Sequence, residues 1–231
     1  TTDGKVKPYP RQQRKGWKWT MVKILGLCCS PRDGATQYAL EQGLKAAEEF
    51  SPDIETELIS VRGRKIAPCN GCGYCKREKT WCCIKDDMQE VFEKIIHADG
   101  LLVASPVYVM TATPQLHAIA SRMRPAMHCY PGMLRNKFAA AIAVGGTRNG
   151  GQETTIDDIF HLFGTRAMNM VTNESGGYTG AKVWSRDGGA EAAAQDEIGM
   201  KTVRDLSRKL AEVCYIYALG KRVYRGRCEN K

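Results

Sequence analysis

Residues 22–28 read Val-Lys-Ile-Leu-Gly-Leu-Cys, an almost unbroken apolar run that suits a central strand buried on both faces. Residues 35–50 are rich in Ala, Glu and Leu with apolar positions at helical spacing, and predict an amphipathic helix. Residues 54–60 alternate as a second strand. A helix opens at Asp86-Asp87, whose carboxylates suit the positive end of a helix, and runs to about His97. Residues 100–105 (GLLVAS) form a third buried strand, 114–128 a helix, 138–144 (FAAAIAV) a fourth strand, 153–163 a helix and 167–171 a fifth strand. A long helix over 190–219 closes the pattern.

Strands alternating with helices over five repeats predict an α/β protein. Its five-stranded parallel sheet is doubly wound, because parallel neighbours need crossover connections and these are right-handed. In such sheets ligands bind beyond the carboxyl ends of the strands. The loops after strands one, three and four are therefore where chemistry is expected.

After strand one come Ser30, Pro31, Arg32, Asp33, Gly34, Ala35 and Thr36. Two hydroxyls, a guanidinium and the free N–H groups of a helix start make a phosphate cradle; an ordinary helix capped by Ser30 or Thr36 remains the alternative. No G-x-G-x-x-G stands at this junction, which favours a mononucleotide over a dinucleotide. After strand three, Pro106, Val107, Tyr108 and Val109 form a rigid apolar ledge suited to a planar ring, although Tyr108 also suits a lid over the core. After strand four, Gly145, Gly146, Thr147, Gly150, Gly151 and Gln152 belong to a stretch with four glycines in eight residues. Such a loop lets backbone approach a flat ligand closely, or simply makes a flexible turn.

The cysteines change the expectation from ligand binding to redox chemistry. Cys69, Cys72, Cys75 and Cys82 fall within fourteen residues. Two C-x2-C steps aim three thiolates at one centre, and a fourth closes it, as in a 4Fe-4S site; a structural zinc and a set of unligated buried thiols stay open. Ten cysteines in a chain with no secretory signal and no apolar run of about 18 residues predict reduced thiols in a cytoplasmic protein without membrane insertion.

The net charge of +9 raises the question of nucleic acid, and its distribution answers it. Residues 1–20 carry +5 and residues 219–231 carry +4, which leaves 23 basic and 23 acidic residues in between. A neutral body with two basic tails lacks the one-sided patch that reads phosphates, so no nucleic-acid partner is expected. The chain divides into a basic extension at 1–20, one domain at 21–219 and a basic tail at 220–231.

Ser30-Pro31-Arg32, the cysteine set followed by Ile84-Lys85-Asp86-Asp87-Met88, Ser105-Pro106-Val107-Tyr108 and the loop at Gly145 together resemble the iron-sulfur flavoproteins. These belong to the NAD(P)H-dependent FMN reductase-like group, and the likeness covers about residues 21–219. It implies a flavodoxin-like fold, FMN, a 4Fe-4S cluster on Cys69, Cys72, Cys75 and Cys82, and homodimers or homotetramers. By motif, Ser30, Arg32, Ala35 and Thr36 fall at the FMN phosphate. Pro106, Val107, Tyr108, Val109 and the loop from Gly145 to Gln152 fall at the flavin ring. Cys29 replaces a usual Gly, Ala35 stands where Asn is common, and His117 and Ser121 stand where Lys and Asp often occur. Cys83 is a candidate substitute for Cys82.

Flavin exchanges one or two electrons and a cluster only one, so the pair couples two-electron chemistry to one-electron carriers. The expected activity is electron transfer between a ferredoxin-type carrier, or a larger redox complex, and an acceptor. An NAD(P)H-dependent reductase of flavin, quinone or nitro compounds and a zinc-binding redox sensor are the alternatives. No side-chain acid or base is required, and no catalytic residue is assigned.

Overall fold

The computed structural model describes residues 21–229, with side chains described as far as Tyr224. The basic extension expected at 1–20, including Trp17 and Trp19, lies outside them. Strands β1 (Val22–Cys28), β2 (Ile54–Ser60), β3 (Gly100–Pro106), β4 (Phe138–Gly145), β5 (Asn169–Met170) and β6 (Ala181–Trp184) form one parallel sheet in the order β2-β1-β3-β4-β5, with β6 also beside β4.

Successive residues of the central strands face opposite sides, which explains their continuous apolar sequence. Leu25 and Leu27 of β1, Leu101 and Val103 of β3, and Ala139, Ala141 and Ala143 of β4 enter one core. Helices α3 (Met88–His97), α4 (Pro114–Arg122) and α6 (Gln152–Gly164) cover it. Val22, Ile24 and Cys28, Leu102 and Ala104, and Ala140, Ile142 and Val144 enter the other core, under α1 (Ala35–Glu48) and α8 (Glu197–Glu229). A Cβ on Gly26 would sit 2.7 Å from Leu44 of α1, so this glycine sets how closely the helix packs on β1. No described helix is long and apolar enough to cross a membrane.

The doubly wound parallel sheet agrees with the sequence expectation, and four local features depart from it. The fifth strand is only Asn169–Met170, followed by an excursion from the sheet; Ala181–Trp184 then completes the same edge alongside Ile142 to Gly145. The helix expected over 114–128 breaks at Met123 and resumes as α5 (Arg124–His128). Pro125 causes the break, because its ring and missing N–H disrupt a continuing helix. The helix expected over 190–219 is α7 (Gly189–Ala194) followed by α8, which continues past Leu219 to Glu229. Asp196 starts α8, accepting from Gly199 N at 3.1 Å while also holding Trp184 N at 2.7 Å. A short helix, α2 (Tyr74–Glu78), lies inside the cysteine loop, where no element was expected.

Candidate functional site: three strand-end loops and a cysteine pocket

Strands β1, β3 and β4 are adjacent, so the loops at their carboxyl ends meet. Thr113, the N-cap of α4, ties the first two: its hydroxyl donates to Cys29 O at 2.9 Å and its N–H to Ser105 Oγ at 3.1 Å. Val107 N donates to Val144 O at 2.9 Å, which ties the second to the third. A Cβ on Gly151 would lie 2.8 Å from Met110 Cα, and φ there is +103°, so only glycine suits this contact.

In the first loop the buried Ser30 hydroxyl accepts from Arg32 N at 3.2 Å and donates to Arg32 O at 2.8 Å. The turn leaves the Arg32 side chain exposed in front of α1. Thr36 is buried in the first turn of α1, behind the half-buried Ala35; that turn has no side-chain cap and no acidic residue, and Asp33 just before it is paired with Arg62 at 2.9 Å. This arrangement suits the phosphate of a flavin mononucleotide.

In the second loop Pro106, Val107 and Tyr108 are half-buried and Val109 is exposed. Tyr108 and Thr111 exchange both backbone hydrogen bonds, at 2.8 and 3.0 Å, around Val109 (φ 49°) and Met110 (φ 67°). The result is a two-residue hairpin with both central residues left-handed. Asp158 on α6 fixes its return limb, accepting from the Thr111 hydroxyl and from Ala112 N.

In the third loop Gly145 and Gly151 are buried, Gly146 and Gly150 half-buried and Thr147 exposed. Gln152 is buried with both ends of its amide engaged: Nε2 donates to Thr147 O at 2.6 Å and Oε1 accepts from Gly150 N at 2.9 Å. It shapes the loop from within, holding Gly145 to Gly151 in a tight fold.

A fourth loop, after β6, was not anticipated because its strand was not. Trp184 Nε1 donates to Gly146 O at 2.9 Å, and the guanidinium groups of Arg148 and Arg186 lie over its ring, 4.8 and 4.4 Å from the centroid. Such cation–π contacts stiffen the rim. Ser185 N donates to Gly145 O at 2.8 Å, and Gly189 lies beside Gly34 of the first loop. The signal available in the sequence was Trp184 followed by the turn residues Ser185, Arg186, Asp187 and Gly188.

The cysteines gather at the other end of α4. Cys69, Cys72, Cys75, Cys82 and Cys83 line one cavity together with Ser121, Arg122 and Arg124. Cys75 is buried, Cys69 and Cys82 are half-buried, and Cys72 and Cys83 are exposed, with their sulfurs 3.8 Å apart. The Tyr74 N–H and then Cys83 draw the Cys72 thiol pKa down, whereas desolvation and then Cys72 push the Cys83 thiol up. Cys72 is therefore the readier thiolate. Among the described residues no three Cys, His, Asp or Glu side chains converge on a single ion position.

The walls of this pocket are firmly held. Ser121 Oγ accepts from Cys69 N at 3.1 Å, so a residue that departs from the family pattern has a definite task here. Arg122 is 3% exposed and donates to Ala67 O, Ile84 O and both oxygens of Asp86, at 2.7 to 3.1 Å. Asp86 and Asp87 were expected to serve the start of a helix. They mainly serve the cysteine loop: Asp86 accepts from Ala67 N as well as Met88 N, and Asp87 from Lys65 N. The side-chain Nε of Arg122 is buried with no hydrogen-bond acceptor among the described residues. A buried cationic donor beside five sulfurs fits an anionic sulfur centre.

Residues 22–182 match the NADPH-dependent FMN reductase family. An iron-sulfur flavoprotein of Methanocaldococcus jannaschii is 39% identical over 195 residues, covering 83% of this chain and 97% of that protein. An iron-sulfur flavoprotein of Archaeoglobus fulgidus is also 39% identical, over 194 residues, covering 82% and 96%. That of Methanosarcina thermophila is 36% identical over 193 residues, covering 83% and 95%. In fold the chain is similar to RosB, whose structure holds 8-demethyl-8-formylriboflavin-5'-phosphate (TM-score 0.65, 17% identity, 90% and 87% of the two chains covered). It is also similar to the flavodoxin, WrbA-like protein of Agrobacterium tumefaciens (TM-score 0.57, 15% identity, 84% and 97% covered). Flavodoxin-like in fold and a flavin-dependent oxidoreductase, the chain belongs to the NADPH-dependent FMN reductase family and, within it, to the iron-sulfur flavoproteins.

Proposed function

We propose that this protein moves electrons between a ferredoxin-type one-electron carrier and an acceptor, through FMN on the strand-end loops and a 4Fe-4S cluster on Cys69, Cys72, Cys75 and Cys82. The observation that carries this reading is the cavity lined by five cysteines together with the buried cationic Arg122. FMN and the cluster together would supply coupling between two-electron and one-electron chemistry. The residues of the chain bind and orient. Ser30 and Arg32 with the α1 start hold the phosphate, and Pro106 to Val109 and Gly145 to Gly151 face the ring. Arg122 with Asp86 fixes both flanks of the cysteine loop.

Helix α4 links the two sites. Thr113 at its start holds the flavin loops, while Ser121 and Arg122 at its end hold the cysteine loop. Nine residues of helix separate them, about 14 Å. We also propose a cytoplasmic homodimer or homotetramer.

The test is anaerobic preparation followed by iron, sulfide, zinc and flavin analysis. Four irons, four sulfides and one FMN per chain are expected; zinc with no flavin would sink the reading. The family match favours one other reading, an NADPH-dependent reductase in which the cysteines are secondary. Rapid bleaching of the bound flavin by NADPH, with none by a reduced ferredoxin, would select it.

A further inference from the structure

Two short helices, α2 and α5, stand beside the cysteine pocket, locked together where Cys129 Sγ donates to Cys75 O at 2.9 Å and Thr80 O at 3.1 Å. Their outer side is cationic. Lys76 and Lys79 are exposed and Arg124 and Arg166 half-buried, and all four surround His128 closely enough to disfavour its protonated form, after its own desolvation. None of the four has a carboxylate within ion-pair distance among the described residues. The one acid on α2, Glu78, pairs with Arg77. Met127, 46% exposed on α5, adds an apolar contact.

This concentration is not a by-product of net charge, because basic and acidic residues balance between Met21 and Ala218. Unpaired like charges repel one another, and a partner of opposite sign relieves that repulsion. The patch adjoins the pocket, whose lining includes Arg124 and Pro125 of α5. An electron carrier needs close approach to the redox centre more than a large tight interface, and charge complementarity supplies fast, oriented encounter.

We propose that the face of α2 and α5, through Lys76, Lys79 and Arg124, is the docking surface for the acidic face of a protein one-electron carrier; Arg166, which follows α6 and donates to Thr165 Oγ1 and Ala120 O, adds its charge from behind. The inference rests on the electron-transfer reading given above. In the exchange the reduced carrier loses one electron and the centre at the cysteine loop gains it, with no bond or proton transferred.

The test is binding of a purified acidic two-cluster ferredoxin to the holoprotein, measured as Kd at low and high salt. It is run on the wild type, Lys76→Glu, Lys76→Gln/Lys79→Gln and a control, Lys45→Glu on α1. Iron and FMN content are measured on every preparation. The expected result is binding that weakens with salt, loses roughly tenfold or more in Lys76→Glu and in the neutralised pair, and is unchanged in the control. Lys76→Glu has an exposed side chain and ordinary helical backbone, so it decides the matter if the pair perturbs the loop. Wild-type affinity in Lys76→Glu with full cofactor content would overturn the docking surface while leaving electron transfer by ferredoxin intact. A wild-type protein that neither binds nor accepts electrons from ferredoxin, yet is bleached by NADPH, would overturn the underlying reading. Binding of duplex DNA in place of ferredoxin would also overturn the proposal.

Discussion

Arg122 grips Asp86 with both terminal nitrogens, at 2.7 and 3.0 Å, with their side chains 2% and 9% exposed. The pair joins the end of α4 to the two flanks of the cysteine loop. Breaking a buried pair by removing one partner costs about 3–5 kcal/mol, because the other charge is left uncompensated. Arg122→Ala is therefore expected to lower the urea midpoint by that equivalent and to lose iron. An iron content equal to wild type would show that the pair does not shape the pocket.

The same pair predicts an acid dependence. Burial pushes the Asp86 carboxyl up, but hydrogen bonds from the Arg122 guanidinium and from the Ala67 and Met88 N–H groups outweigh it, so its pKa lies below the usual carboxylate range. A carboxylate depressed on folding contributes its stability above the unfolded pKa, about 3.9, and loses it as pH falls through the lower folded value. Asp86→Asn should abolish that part of the pH dependence below about pH 4. Stability curves of wild type and variant that stay parallel from pH 6 to pH 2, roughly the range over which carboxylates titrate, would contradict it.

Cys82 and Cys83 divide into different settings, and the ligand assignment can be tested between them. Cys82 is half-buried, whereas Cys83 is exposed with its sulfur against that of Cys72. Cys72→Ala and Cys82→Ala are expected to lose iron while retaining FMN, and Cys83→Ala to keep both. Iron lost from Cys83→Ala and kept by Cys82→Ala would exchange the two roles.

Much of this was legible in the sequence because apolar runs and strand-end positions are local signals. Residues 22–28, 100–105 and 138–144 marked the three central strands, and with them the loops of Ser30, Pro106 and Gly145. The short fifth strand was harder. Asn169–Met170 is too brief to show alternation, and Ala181–Trp184 follows a turn-rich excursion, so the loop of Trp184 and Arg186 went unseen. The acid pair Asp86-Asp87 does stand at the start of α3, and Asp86 accepts from Met88 N there. Its second partner, Arg122, was not legible, because it lies 36 residues away and is brought near only by the crossover through β3.

Arg32 gives a direct measure of the proposed phosphate cradle. Its backbone is held by Ser30 while its side chain is exposed in front of α1. A charge-assisted hydrogen bond contributes about 1.5–3 kcal/mol, so Arg32→Ala should weaken FMN binding by roughly 10-fold to 150-fold. Titration of the apoprotein with FMN, followed by flavin fluorescence, reads this out. An unchanged Kd would remove Arg32 from the site.

Val109 offers the sharpest test of backbone strain. The hairpin from Tyr108 to Thr111 needs positive φ at both central residues, a requirement normally met by Asn-Gly or Gly-Gly. Here Val109 and Met110 meet it, and a left-handed β-branched residue costs about 1–2 kcal/mol. Val109 is 96% exposed, so replacing it removes no packing. Asn tolerates this conformation without the unfolded-state entropy of Gly. Val109→Asn should therefore stabilise the protein by about 1 kcal/mol, a rise in Tm of roughly 2–4 °C. A fall in Tm would show that the valine side chain makes a contact that outweighs the strain. A rise accompanied by weaker FMN binding would show that the strained hairpin is held for the flavin, consistent with strain collecting at functional sites.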